Sequence, residues 1–269
     1  MKKVSSFLWL IKQKLIFYIE VIIRKKTPII IYQMGKVGST SIAISLKRAG
    51  VSPVFHVHRM NPSDISRIQK EYEKRKLGPP QNDLLGEFLR HEIVIKKRQA
   101  KYVVLYRNPA ERNISAFFQN FERYTGVKPD DYDGSIDELA NVFISKYEHN
   151  VSLKWFDREL KKVLGIDVYN SKFSKKKGYA IYKTKYTKLL LLKTSLSDKN
   201  KTYVIGDFLN LSPIRITRSN VGKDKDYAKL YNEFKQKIKV NTNYYEKFNK
   251  SKVARYFFTK QELKQTVQG

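Results

Sequence analysis

The residues best suited to chemistry stand where apolar runs end. Ile29-Ile30-Ile31-Tyr32 leads into Gln33-Met34-Gly35-Lys36-Val37-Gly38-Ser39-Thr40-Ser41, a loop with glycines, a lysine and hydroxyls. Between a buried strand and a helix, such a loop binds phosphate-like groups. The glycines let the backbone come close, N–H groups at the helix start point at the anion, and the helix dipole adds to the attraction. Lys36 supplies a full charge, the amides of Val37 to Ser41 stand behind it, and Ser39, Thr40 and Ser41 add hydroxyl donors. An ATP-type loop reads G-x-x-x-x-G-K-[ST]. Here Lys36 precedes Gly38, so the ATP reading fails on order and spacing.

A second anion site follows another apolar run. Tyr102 to Tyr106 leads into Arg107-Asn108-Pro109 and a helix that carries Ser115, eight residues after the arginine. In a parallel α/β sheet, ligands sit outside the carboxyl ends of the strands. Arg107 and Ser115 are therefore expected beside the first loop, which suits a ligand with two separated phosphates.

A transferred group also needs a base for the acceptor's proton. Of the four histidines, His56 and His58 are two apart on one strand and share a face. His58, at the carboxyl end, is the first candidate. His56, His91, Glu122 and Glu148 are the alternatives, and His149 precedes the helix of Trp155. No further ligand stands at metal-binding spacing from His56-x-His58, so no metal is expected.

The elements that must place these groups alternate. Strands are expected at 29–33, 54–58 and 102–106, and helices at 39–49, 62–76, 82–97 and from Pro109. A long helix is expected at 136–164, strands at 179–183, 188–193 and 203–205 with a turn at 199–201, and a helix at 226–248 before a polar tail. This order predicts an α/β fold with a parallel sheet covered on both faces. Residues 1–27 read as an amphipathic, membrane-associating helix, 28–250 as one α/β domain and 251–269 as the tail.

Composition narrows the partners. The chain has 269 residues, no cysteine and a net charge of +29. Disulfides, thiolate metal sites and cysteine nucleophiles are excluded. The charge favours anionic partners: nucleotide phosphates, acidic glycans, anionic lipid or nucleic acid. Lys12, Lys14 and Glu20 interrupt the apolar N-terminal stretch. It therefore suits a membrane surface better than a span, and a cytoplasmic protein peripheral on the inner face is expected.

Lys-x-Gly-Ser-Thr after one strand, with Arg-x-Pro and a serine eight residues on after another, resembles the sulfotransferase superfamily that uses 3′-phosphoadenosine 5′-phosphosulfate (PAPS). The texts "YQMGKVGSTSI", "FHVHRMNP", "YRNPAERNISAFFQN" and "NVSLKWFDREL" are most similar to its bacterial capsular polysaccharide synthesis branch. "SNVGKDKDYAKLY" resembles that branch's Asn…Lys-Trp-Tyr-Ser signature, with Asp226 in place of Trp and Ala228 in place of Ser. The resemblance spans roughly residues 29–235. It implies a P-loop-like three-layer fold around a parallel sheet, no metal, and sulfuryl transfer to a hydroxyl of a surface or capsular carbohydrate. It further implies Lys36 beside the oxygen bridging to sulfate, and the amides of Val37, Gly38, Ser39, Thr40 and Ser41, with the Ser39 and Thr40 hydroxyls, at the 5′-phosphate. Arg107 and Ser115 fall at the 3′-phosphate, and Asn220 and Lys223 lie in a loop over the nucleotide. Leu189 to Ser195 departs from the relatives, which often carry arginine and a carboxylate there.

Two rival readings remain. A kinase-like enzyme on a related fold lacks support, because Lys36 is displaced and no Mg2+-holding aspartate pair is evident. A basic binder of nucleic acid or acidic glycan draws on Tyr179, Tyr182 and Tyr186 interleaved with lysines, but the same alternation describes a half-exposed strand.

Overall fold

The computed structural model describes residues 2–211, 227–240 and 242–268. The chain divides into two compact units that interleave in sequence: residues 1–106, 155–172 and 179–217, and residues 107–154, 173–178 and 218–269.

The first unit holds the sheet. Its strands are β1 (Ile29–Tyr32), β2 (Val54–Val57), β3 (Ala100–Tyr106), β4 (Tyr179–Lys183) and β5 (Thr187–Lys193), in the order β2-β1-β3-β5-β4. The first three and β5 run parallel. β1 and β3 are neighbours, with Ile29 opposite Lys101 and Ile31 opposite Val103. The expected parallel sheet carries one exception: β4 pairs antiparallel with β5 as a hairpin edge strand. Only three residues separate the two strands, and a parallel crossover needs a dozen or more.

Buried on both faces, β1 and the stretches Tyr102–Tyr106 of β3 and Leu189–Leu192 of β5 read as apolar runs. Helices α1 (Lys2–Phe17), α2 (Ser39–Arg48), α3 (Pro62–Lys74), α4 (Gln81–Leu89) and, further along the chain, α10 (Asp198–Leu209) flank the sheet. α1 continues as a π-helical turn, Tyr18–Ile23, and α4 as another, Arg90–Ile95. Asn61 caps α3 by accepting from the Ser63 amide at 3.0 Å, with Pro62 in the first turn.

The second unit is helical: α5 (Pro109–Gln119), α6 (Phe121–Thr125), α7 (Ile136–Lys146) and most of α8 (Val151–Trp155). α8 runs on through a π-helical turn into α9 (Lys162–Leu164), which belongs to the first unit. The second unit closes with α11 (Ala228–Val240), α12 (Thr242–Asn249), α13 (Lys252–Phe257) and α14 (Lys260–Gln268). Phe117, Phe143, Phe234 and Tyr245 are fully buried in its aromatic core.

Several expected elements differ. The single helix at 136–164 breaks at Tyr147, which is extended and buried while its hydroxyl accepts from Arg112 Nη1 at 3.0 Å. The strand at 203–205 and the turn at 199–201 are both inside α10. Ser197 caps that helix, and Val204, Ile205, Phe208 and Leu209 bury one face at helical spacing. Tertiary packing of that face overrides the strand preference of Tyr203-Val204-Ile205. The expected polar tail at 251–269 forms α13 and α14, and Val253, Ala254 and Phe257 are buried.

Candidate active site

The chain visits β2 on one side of β1 and then crosses to β3 on the other. Connections that leave in opposite directions open a crevice at the carboxyl end of the strand between them. The loop after β1 stands there. Lys36 (φ 72°) and Gly38 (φ 76°) are both left-handed, and Gly38 is the N-cap of α2 without any side-chain cap. Left-handed residues before a helix curl backbone N–H groups into an anion-binding concavity.

The left-handed lysine is unusual in its place. Lys25, Lys76, Lys97 and Asn210 also have positive φ, but each stands one or two residues past a helical segment, where a left-handed residue ends the helix. Lys36 precedes one. For a residue with a β-carbon this costs about 1–2 kcal/mol.

The two strand histidines have distinct roles in the fold. His56 Nε2 lies 3.0 Å from Ser39 Oγ and 2.9 Å from Gln33 Nε2. An amide nitrogen only donates, so His56 Nε2 accepts. Gln33 Nε2 also donates to Ser39 Oγ. Burial first, and then the Lys47 charge, press the His56 pKa down to about 4. His56 is thus a neutral member of a buried network, and the Ser39 side chain is turned into that network. Gln33 Oε1 is buried with no hydrogen-bond partner among the described residues.

His58 faces the loop itself. Its Nδ1 lies 3.1 Å from the Gln33 carbonyl oxygen, which can only accept. The neutral ring therefore carries its proton on Nδ1 and its lone pair on Nε2. A β-carbon placed on Gly35 would lie 3.9 Å from that Nε2. The basic nitrogen thus borders the loop that carries Lys36.

The backbone behind His58 is pinned from α8 and the turn that continues it. Trp155 Nε1 donates to the His58 carbonyl at 3.2 Å. Glu159 Oε2 accepts from the Met60 and Asn61 amides at 2.9 Å each, and from the Tyr32 hydroxyl. Burial raises the Glu159 pKa, against the pull of these donors. Glu159 thereby ties the end of β1 to the turn after β2. Gln33, Trp155 and Glu159 were not among the expected site residues. The signals were a polar residue closing an apolar strand, and a carboxylate four residues after Trp155 on a helix face that buries Phe156 and Leu160.

The other expected residues fall as follows. Val37 is buried, Thr40 exposed and Ser41 half-buried. In the second unit, Arg107 follows directly on β3 and its Nη2 pairs with Glu111 at 3.1 Å. Glu111 also holds Lys235 Nζ at 3.1 Å and accepts from the Tyr245 hydroxyl at 2.8 Å. Asn108 caps α5 as expected, accepting from the Ala110 amide at 3.0 Å. Ser115 is half-buried on that helix. Asn220 and Lys223 lie outside the described residues.

His91 is exposed and pairs with Glu92 at 3.0 Å. His149 uses both ring nitrogens inside the aromatic core, on the Phe143 carbonyl at 3.0 Å and the Tyr244 hydroxyl at 3.1 Å. Glu122 and Glu148 are exposed. Among the described residues, no group of three or more His, Asp or Glu could hold a metal ion. Tyr182 is buried with its hydroxyl donating to the Val168 carbonyl at 3.3 Å, so it presents no face to a base. A basic groove of about 310 Å³ lined by Lys101, Lys185 and Lys188 lies at the opposite, amino ends of the strands.

No curated protein and no solved structure matches the chain. Residues 129–259 match the family model NKWYS, "Putative capsular polysaccharide synthesis protein". The match covers just under half of the chain and begins beyond the segments that carry Lys36, His58, Arg107 and Ser115.

Proposed function

We propose that this protein is a sulfotransferase that moves a sulfuryl group from PAPS to a hydroxyl of a carbohydrate, in the synthesis of a surface or capsular polysaccharide. The observation that carries the reading is the loop after β1. A strained lysine precedes a helix with no side-chain cap, and the basic nitrogen of His58 borders the loop. Strain of this kind at a strand end is a mark of function. The match over residues 129–259 supports the polysaccharide part of the reading.

The donor supplies an activated sulfuryl group. In this reading the amides of Val37 to Ser41 hold its 5′-phosphate at the α2 N-terminus, and Thr40 adds a hydroxyl from the exposed side. Lys36 offsets charge on the oxygen that leaves sulfur. His58 Nε2 takes the acceptor's hydroxyl proton, while the Gln33 carbonyl steadies the imidazolium through Nδ1–H. His56 belongs to the scaffold: its nitrogen is engaged and it binds a proton only near pH 4. In the second unit, Arg107 offers its planar fork to the 3′-phosphate once that ligand competes with Glu111.

The test is incubation with sulfate-labelled PAPS and a panel of acidic and neutral polysaccharides, without metal. Label transferred to glycan by the wild type, and not by His58→Ala, is the expected result. Transfer of phosphate from ATP–Mg2+ with none from PAPS would overturn the reading in favour of a kinase.

A further inference from the structure

The N-terminal helix buries one face and exposes an apolar one on the opposite side. Gln13, Phe17 and Val21 form a buried row, in which Phe17 is fully enclosed and meets Phe55 and Phe88 at centroid distances of 6.0 and 5.2 Å. Phe7, Ile11, Leu15, Ile19 and Ile23 form a second row, also spaced by four. The rows are offset by two residues, about 200° around a helix. The second row therefore faces away from the core, and it is exposed: Phe7 by 65%, Leu15 by 55% and Ile23 by 72%. A strict spacing of four drifts around an α-helix. The π-helical turn at Tyr18–Ile23 holds more residues per turn and winds the row back.

Exposed apolar side chains elsewhere are scattered. Of the fourteen large ones among the described residues, seven lie between Phe7 and Ile23. Single exposed residues need no explanation, but a contiguous stripe marks an interaction surface. Its charge surroundings select the partner. Residues 1–26 carry seven basic residues against one acidic residue, Glu20. Glu20 is held by Arg24 and Lys26 at 2.6 Å each. A second copy would bring like charges together on chains that each carry +29. An anionic surface would not.

We propose that this stripe seats the protein on the surface of an anionic lipid bilayer, with the helix lying in the headgroup plane. The opposite row stays docked on the sheet unit. No helix among the described residues is long and apolar enough to cross a membrane. Apolar side chains enter the headgroup boundary while Lys12, Arg24, Lys25 and Lys26 meet lipid phosphates. The proposal is independent of the reaction catalysed.

The experiment is flotation of the full-length chain with vesicles of 70% phosphatidylcholine and 30% phosphatidylglycerol, and with pure phosphatidylcholine. The wild type is expected to float with the anionic vesicles and much less with the neutral ones. The double variant Leu15→Ser/Ile19→Ser changes no charge and alters only exposed positions. It should keep the wild-type melting temperature and lose at least tenfold in partitioning. Equal flotation of variant and wild type would overturn the proposal, since the general basic surface would then do the attaching. So would a wild type that does not float. A lipid-free wild type that dimerises where the variant is monomeric would also overturn it, by making a second copy the occupant.

Discussion

Two of the turns that run from a strand into a helix past a basic residue, those after β1 and β3, differ in what they leave for a ligand. After β3, the turn satisfies itself. Asn108 caps α5, Pro109 removes one helix-start N–H, and Arg107 is paired to a Glu111 that two further groups hold in place. After β1, no side chain caps α2, and Lys36 is held in a left-handed conformation that no helix end requires. The contrast teaches that a cation at a strand end is not by itself an anion site. What distinguishes the first turn is a left-handed lysine ahead of a helix start, whereas at the second a ligand must compete with Glu111 for Arg107.

The largest expected effect concerns His58, the histidine that borders the first turn. His58→Ala should lower turnover by roughly 10²–10⁴-fold with donor affinity nearly unchanged, the signature of a lost base. Steady-state kinetics with a separate donor-binding titration reads this out. Near-normal turnover would remove His58 as the base and return the contrast to anion binding alone.

The second effect tests His56 as scaffold. Its folded pKa, about 4, lies below the ordinary value of about 6.5, so unfolding takes up a proton between these values. The resulting stability is present above pH 6.5 and is lost as pH falls toward 4, by up to about 3 kcal/mol. Denaturant melts of the wild type and His56→Gln should converge as pH falls through this window. Parallel curves would mean that His56 is not held neutral.

The third effect is on the self-satisfied turn. Arg107→Ala should cost about 2–3 kcal/mol of nucleotide binding and erase the preference for a 3′-phosphate. Glu111→Gln should strengthen binding, by releasing Arg107, and lower the melting temperature because the carboxylate charge that pairs with Lys235 and one of the two oxygens that hold Lys235 and Tyr245 are lost. Calorimetric titration of both variants would expose a wrong assignment as unchanged discrimination between adenosine 3′,5′-bisphosphate and adenosine 5′-phosphate.

The smallest effect bears most directly on strain. Lys36→Gly removes the β-carbon from a residue at φ 72° and should stabilise the protein by about 1 kcal/mol, partly offset by added unfolded-state freedom. It should weaken nucleotide binding at the same time. A variant that is less stable and binds normally would refute the idea of a strained ligand site.

Much of this was legible in residue order. The strand–loop–helix text located β1, β3 and their turns, and Asn61-Pro62 and Asn108-Pro109 announced two helix starts, because capping is local chemistry. What could not be read depends on distant partners. Nothing near His56 in the chain signals that Gln33 and Ser39 will hold it, and nothing near Arg107 signals that Lys235 and Tyr245 will fix its partner Glu111. Glu159 acts on Met60 and Asn61, about a hundred positions earlier in the chain. Val204 and Ile205 misled because β-branched residues favour strands until a helical face is buried.

The turn after β1 is proposed to hold the 5′-phosphate of a 3′-phosphorylated nucleotide. The most direct test is thermal unfolding with adenosine 3′,5′-bisphosphate, adenosine 5′-phosphate or ATP–Mg2+. Ligand at a hundred times its dissociation constant stabilises by about 2.7 kcal/mol. A clear rise in melting temperature with the bisphosphate, smaller with the monophosphate and diminished in Lys36→Ala, is the expected result. Protection by ATP–Mg2+ alone, or a bisphosphate effect indifferent to Lys36, would contradict it.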